Sequence, residues 1–171
     1  MRIVGGTFAG RDLVSPRDFR VRPTAEAVRV AMMALVAHEL SGARVLDLYA
    51  GTGAIGLEAI SRGAARCDFV EFRPSSLVSL KGNINRLKLR DRSRVFKHDA
   101  LRFAAALGED AYDLCFVDPP YESRQLDRVI DHWRAQRFSR VLVAEHAAGH
   151  GLPPGGTQRR FEDTAVTVYR R

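Results

Sequence analysis

Residues 44–58 read Arg-Val-Leu-Asp-Leu-Tyr-Ala-Gly-Thr-Gly-Ala-Ile-Gly-Leu-Glu, and this stretch decides the fold. Val45, Leu46 and Leu48 make a short apolar run that ends in Gly51, Gly53 and Gly56, after which Leu57, Ala59 and Ile60 begin an amphipathic pattern. The change of period across a tight glycine turn predicts a strand followed by a helix. Glycines let the backbone approach a bound group without Cβ interference, and the first amides of a new helix face whatever sits there. A nucleotide-like ligand is therefore expected at this turn.

Taken alone, the spacing Gly51, Gly53, Gly56 is only the generic dinucleotide fingerprint. Three further features sharpen it. Asp47 stands four residues before the first glycine, an acidic position that suits the ammonium of an amino-acid moiety better than a pyrophosphate. Phe69-Val70-Glu71 is a second apolar run, ending in a carboxylate about twenty residues past the glycines, where a ribose would lie if the two strands are neighbours. Val95 to His98 runs into Asp99-Ala100, and Leu114 to Val117 runs into Asp118-Pro119-Pro120-Tyr121. Four strand ends carrying polar residues thus converge on one rim.

The rest of the chain fits around this repeat. Arg2 to Val4 and Arg11 to Val14, separated by the turn-rich 5–10 segment, are expected to pair as an N-terminal hairpin. An arginine-dense connector follows, and Thr24 is placed to cap a helix whose buried side is Val28, Met32, Leu35 and Val36, running to about Leu40. Ala54 to Arg62 is the next helix, with Gly63 ending it, and Pro74 opens another whose stripe is Leu77, Leu80, Ile84 and Leu87. Lys81, Arg86, Lys88, Arg90, Arg92 and Arg94 are read as a solvated face. Leu101 to Leu107 is a short helix, and Leu126, Val129, Ile130 and Trp133 mark a longer one with the indole in the core. Arg140 to Glu145 is a buried strand, and Thr157–Phe161 with Ala165–Tyr169 closes the chain as an antiparallel pair. The pattern is α/β: a doubly wound, mostly parallel seven-stranded sheet with helices on both faces, one reversed strand and a small N-terminal hairpin extension.

With 171 residues, 46% of them apolar, the chain is expected to be a single domain: residues 1–23 as hairpin and connector, 24–171 as core. No run approaches a membrane span and no apolar signal segment opens the sequence, so the expected address is the cytoplasm. Cys67 and Cys115 fall in or beside predicted buried strands and read as core residues, while the five histidines show no ligand spacing, so no metal site is expected. A net charge of +7 points to a polyanionic partner, because clustered arginines gain affinity from phosphates by releasing counterions.

The ordered series of glycine turn, strand-end acid, Asp-Ala and Asp-Pro-Pro-Tyr resembles the Rossmann-like S-adenosylmethionine-dependent methyltransferases, and the last tetrapeptide resembles the motif of those that methylate exocyclic amines of bases. Gly5-Gly6, Gly10-Arg11-Asp12-Leu13, Arg22-Pro23-Thr24, Val28-Arg29 and the 47–53 segment are more narrowly similar to the RsmD family, bacterial enzymes that methylate the N2 amine of one guanine in small-subunit ribosomal RNA. Val30 and Phe72-Arg73-Pro74 depart from the usual family pattern.

The resemblance implies S-adenosyl-L-methionine as cofactor, S-adenosyl-L-homocysteine as product and no metal. It implies Asp118, Pro119, Pro120 and Tyr121 as catalytic residues, and Asp47, Tyr49, Ala50, Gly51, Thr52, Gly53, Glu71, Phe72, Asp99 and Ala100 as the cofactor site. Arg11, Arg20, Arg22, Thr24 and Arg29 become the contacts to 16S rRNA, in the small subunit or its precursor, by a monomer. Three other readings stay open: a DNA adenine-N6 or cytosine-N4 methyltransferase, an NAD-linked oxidoreductase lacking an evident hydride-transfer pair, and a non-catalytic RNA-binding assembly factor.

Overall fold

The computed structural model describes residues 1–16, 25–120 and 124–171. Its centre is strand β1 (Arg44–Leu48), which pairs in parallel with β2 (Arg66–Glu71) on one side and with β4 (Tyr112–Val117) on the other. Strand β3 (Ser93–Lys97) extends the sheet past β2, and β5 (Ser139–Ala147), β7 (Thr164–Arg170) and β6 (Thr157–Arg160) extend it past β4. The order is β3-β2-β1-β4-β5-β7-β6, with β7 as the reversed strand.

Helices cover both faces, so the central strands must be apolar on both sides, and their sequences read as near-continuous runs. On one face α1 (Glu26–Leu35), α2 (Ala54–Ser61) and α3 (Pro74–Arg86) bury Met32, Leu57, Ile60 and Leu80 against Val45, Phe69, Phe116 and Val143. On the other, α4 (Ala100–Ala105) and α5 (Gln125–Gln136) bury Ala104, Ile130 and Trp133 against Leu46, Val70, Cys115 and Val117. Trp133 is a core residue whose Nε1–H donates to the Ser139 carbonyl and hydroxyl at 2.9 and 3.0 Å. Both cysteines are buried thiols. Among the described residues no helix is long and apolar enough to cross a membrane.

Several boundaries move from their expected places for local reasons. β3 and β4 each begin two residues before the apolar run suggests, because polar residues there serve one buried acid: the Arg94 guanidinium holds Asp68 at 2.8 and 2.5 Å, and the Tyr112 hydroxyl donates to it at 2.8 Å. Arg94 is thus an interstrand tie, and Arg92, which donates to the Ala64 and Ala65 carbonyls, is another; neither belongs to a purely solvated face. The first helix stops at Leu35 and continues only as a 3₁₀ turn, Ala37–Glu39.

The N-terminal segment forms a hairpin with a single bridge pair, Arg2 and Asp12, in place of two paired strands. The amides of Val4 and Gly5 are turned away to the Glu58 carboxylate of α2, each at 2.8 Å. Ser61 fastens the turn by accepting from Phe8 N–H at 2.9 Å and donating to the Gly5 carbonyl at 2.6 Å. Gly6, at φ +79°, lies so close that an added Cβ would meet the Ser61 carbonyl oxygen at 1.9 Å.

Candidate active site

The parallel strands deliver their C-terminal ends to one cleft of about 640 Å³, lined by Tyr49 to Thr52 after β1, Glu71 and Phe72 at the end of β2, His98 to Ala100 after β3, Asp118 to Pro120 after β4, and Glu145 on β5. This is where an open α/β sheet presents a ligand crevice. Most of the expected cofactor residues and the described part of the expected catalytic tetrapeptide are therefore brought together.

The glycine turn runs through left-handed backbone, which Gly51 and Gly53 adopt freely and Tyr49 only at a cost. Tyr49 and Gly51 sit at φ +63° and +56°, and Gly53 at φ +80° precedes the first residue of α2. A Cβ on Gly53 would lie 2.4 Å from the Leu80 Cδ1, so the turn rests directly on α3. Glu71 reaches across to hold it: one carboxylate oxygen accepts from Gly51 N–H at 2.7 Å, and the other from Phe72 and Arg73 N–H at 2.8 and 2.7 Å. A carboxylate held by three amides is fixed in orientation before any ligand arrives.

Asp47 departs from its expected place. It is sealed at 1% exposure beneath the turn, outside the cleft lining, where it accepts from Gly56 N–H at 2.9 Å. Burial pushes its carboxyl up to about 7, against the lowering effect of the Gly56 bond and with a further upward push from the Glu71 charge. Gly53 is likewise behind the lining, so both residues shape the turn from within.

Asp99 caps α4, accepting from Arg102 N–H at 2.8 Å, and Ala100 begins that helix as a buried residue. Phe72, 64% exposed, forms the outer lip. Tyr49 places its ring in the wall; its hydroxyl is buried without a hydrogen-bond partner among the described residues, and burial raises its pKa. Asp118 is half-buried at the end of β4, Pro119 is buried and Pro120 is exposed. Tyr121 lies outside the described residues.

Of the expected RNA contacts, Arg29 is corrected outright. It is fully buried, with its Nε 3.5 Å from Glu58 and its Nη2 donating to the Arg2 carbonyl at 2.6 Å, because α1 lays it against α2. Arg11 is exposed, and Arg20, Arg22 and Thr24 lie outside the described residues. The expectation missed Glu145, Thr164, Gln125 and Met1 as lining residues. Glu145 carried a signal: like Glu71 and Asp118, it is a carboxylate at the end of an apolar strand. Among the described residues no cluster of His, Cys, Asp or Glu could hold a metal ion.

The family described as Conserved hypothetical protein 95 matches residues 1–150. The chain is 34% identical over 182 residues to YlbH of Bacillus subtilis, across 100% of this chain and 99% of that protein. It is 34% identical over 158 residues to Ribosomal RNA small subunit methyltransferase D of Escherichia coli, across 90% of this chain and 78% of the relative. The solved structure of yhhF from Escherichia coli superposes with a TM-score of 0.86 at 29% identity, over 100% of this chain and 97% of the other. An RNA methyltransferase from Salinibacter ruber, crystallised with S-adenosyl-L-homocysteine, shares the fold, with a TM-score of 0.68 at 15% identity over 87% of this chain and 93% of the other. Matched by the family over residues 1–150 and by a methyltransferase D over nine-tenths of its length, the chain belongs to the RsmD family of methyltransferases.

Proposed function

We propose that the protein transfers the methyl group of S-adenosyl-L-methionine to the exocyclic N2 amine of a guanine in 16S ribosomal RNA, on the small subunit or an assembly precursor, and releases S-adenosyl-L-homocysteine. The observation that carries this reading is the sharing of one cleft by Glu71, Asp99 and the Asp118-Pro119 pair. Relatives named as rRNA methyltransferases support the substrate class.

The cleft suits such a cofactor. Its volume of about 640 Å³ is in the range of small-molecule sites, and the buried Tyr49 hydroxyl is a polar atom a ligand could satisfy. Glu71 would hold a ribose hydroxyl with the one acceptor site on Oε2 that its three amide bonds leave open. The free oxygen edge of Asp99 would take the adenine amine, with Ala100 against the ring and Phe72 at its edge. Tyr49, Ala50, Gly51 and Thr52 would hold the methionine end, with Asp47 and Gly53 supporting that loop from behind. When bound, the cofactor supplies a methyl group already activated on a sulfonium.

The remaining task is to position a poor nucleophile, since the guanine amine lone pair is delocalised into the ring. Asp118 accepts one amine N–H and the Pro119 carbonyl the other, which favours the pyramidal, charge-bearing nitrogen of the transition state. Pro119 and Pro120 fix φ and keep these acceptors rigid. The new N–C bond leaves one surplus proton, which Asp118 takes and passes to solvent. Tyr121 supplies a flat face for the base. Arg11, Arg20, Arg22 and Thr24 supply phosphate and sugar contacts, consistent with the net charge of +7. The chain acts in the cytoplasm as a monomer and a single catalytic domain.

Labelled S-adenosylmethionine offered with small subunits lacking the modification, with free rRNA and with duplex DNA tests this, read by nucleoside analysis. N2-methylguanosine in the rRNA is the expected product. N6-methyladenosine or N4-methylcytosine from DNA would replace the proposal with the DNA-directed alternative, and no transfer to any of them would leave a binding factor.

A further inference from the structure

We propose that Glu145 determines the base specificity of the transfer by accepting the N1–H of the target guanine. This inference rests on the reading of the cleft as a guanine-N2 methyltransferase site.

The sheet order divides the cleft into two halves. The ends of β3, β2 and β1 carry Asp99, Glu71 and the glycine turn, while the other half has Asp118 just past β4, Glu145 within β5 and Thr164 at the start of β7. In the parallel β4–β5 ladder Val117 stands opposite Ala144 as the last pair, and Asp118 and Glu145 are the residues that follow them. Side chains alternate along a strand. Phe116 and Val143 point to the α1–α2–α3 face, as does Glu145, two residues on from Val143; Thr164, two residues before Val166 on β7, joins it, and Asp118, just past β4, lines the same cleft. Ala25 and Val28 of the α1 end and Gln125 at the start of α5 complete the wall. Glu145 is 4% exposed, yet borders the cleft beside the acceptor of the methylation motif.

A carboxylate at so low an exposure carries a desolvation cost that donors offset, and at the cleft wall an N–H of a bound base can be one of those donors. Adjacent donors define the guanine Watson–Crick edge: N1–H next to the N2 amine. With the amine hydrogens directed to Asp118 and the Pro119 carbonyl, the neighbouring N1–H falls to the neighbouring strand. Adenine presents a bare N1 lone pair there and would set acceptor against carboxylate. A buried acceptor left facing an acceptor costs about 5- to 150-fold in affinity, and more when charged.

The test uses small subunits reconstituted with guanine or 2-aminopurine at the position the wild-type enzyme modifies. 2-Aminopurine keeps the N2 amine and replaces N1–H with a lone pair. Wild type should prefer guanine by about 100-fold or more in kcat/KM. In Glu145→Gln the carboxamide can donate as well as accept, so the preference should shrink by at least about tenfold, chiefly through a gain on 2-aminopurine. Calorimetry with S-adenosylhomocysteine checks that Glu145→Gln keeps its cofactor affinity, and Glu145→Asp serves as a second variant that keeps the charge and should retain the preference for guanine. A fall of equal size on both bases would mean a structural role and overturn the proposal, as would an unchanged preference. Failure of the wild type to methylate guanine at all would instead refute the underlying reading.

Discussion

The Asp47 carboxylate accepts the Gly56 amide at 2.9 Å in a position sealed from solvent, so the end of β1 and the first turn of α2 are joined across the glycine loop by one buried acid. Burial lifts the carboxyl from an ordinary 3.8 to about 7 in the folded protein. A raised folded pKa means that folding favours the protonated form: the contribution is complete below the unfolded value, declines as pH rises and is lost above about 7. Asp47→Asn removes this dependence. Thermal melts of variant and wild type should therefore diverge in favour of the variant between pH 4 and about 7 and run parallel above it. Parallel curves throughout would remove Asp47 from that role.

Glu58 ties three parts of the chain at zero exposure: it faces Arg29 of α1 at 3.5 Å, Arg62 at 2.8 Å, and the Val4 and Gly5 amides. Breaking a buried pair by removing one partner costs about 3–5 kcal/mol, because the other charge stays buried. Glu58→Gln should lose that much in denaturant unfolding, with hydrogen exchange accelerated at Val4 and Gly5. Arg29→Met, which removes the opposite charge and keeps the apolar stem, should lower stability without changing the salt dependence of RNA binding. A reduced salt slope for Arg29→Met would restore Arg29 as a phosphate contact.

Glu71 holds three amides around the turn and is assigned the ribose. Charge-assisted bonds are worth about 1.5–3 kcal/mol each, so Glu71→Ala should weaken S-adenosylhomocysteine binding by about 10- to 100-fold in calorimetry. A change below about threefold would contradict the assignment.

Asp118→Ala should abolish methyl transfer, by at least about 100-fold in kcat, while leaving cofactor binding intact. A tritium-transfer assay paired with calorimetry reads both. Near-normal turnover would take Asp118 out of the mechanism.

The sheet and most of the cleft were legible because their signals are local: a change of hydrophobic period at Gly51, an acid directly after the apolar runs at Glu71 and Asp118, and Asp99 three residues past Phe96. What escaped the sequence was set by packing between distant segments. Arg29 reads like the arginines around it until α1 meets α2 and Glu58, 29 positions on, takes its charge. Asp47 precedes the turn at a spacing that suits a ligand contact, and only the alternation of β1 reveals that it faces the Gly56 amide beneath the loop. Arg94 resembles its exposed neighbours until β3 lies beside β2 and meets Asp68. Glu145 follows an apolar run as Glu71 and Asp118 do, but that its strand reaches the cleft follows from the order β4-β5-β7, which no local pattern encodes.

The position of the methyl donor is the most direct test of the methyl-transfer geometry, and a crystal structure of the protein soaked with S-adenosylmethionine measures it. The predicted result is density along the β1–β2–β3 ends, the ribose on Glu71 and the sulfonium methyl directed at Asp118 and the Pro119 carbonyl. Density with the methyl turned away from Asp118, or none beside the glycine turn at saturating donor, would contradict it.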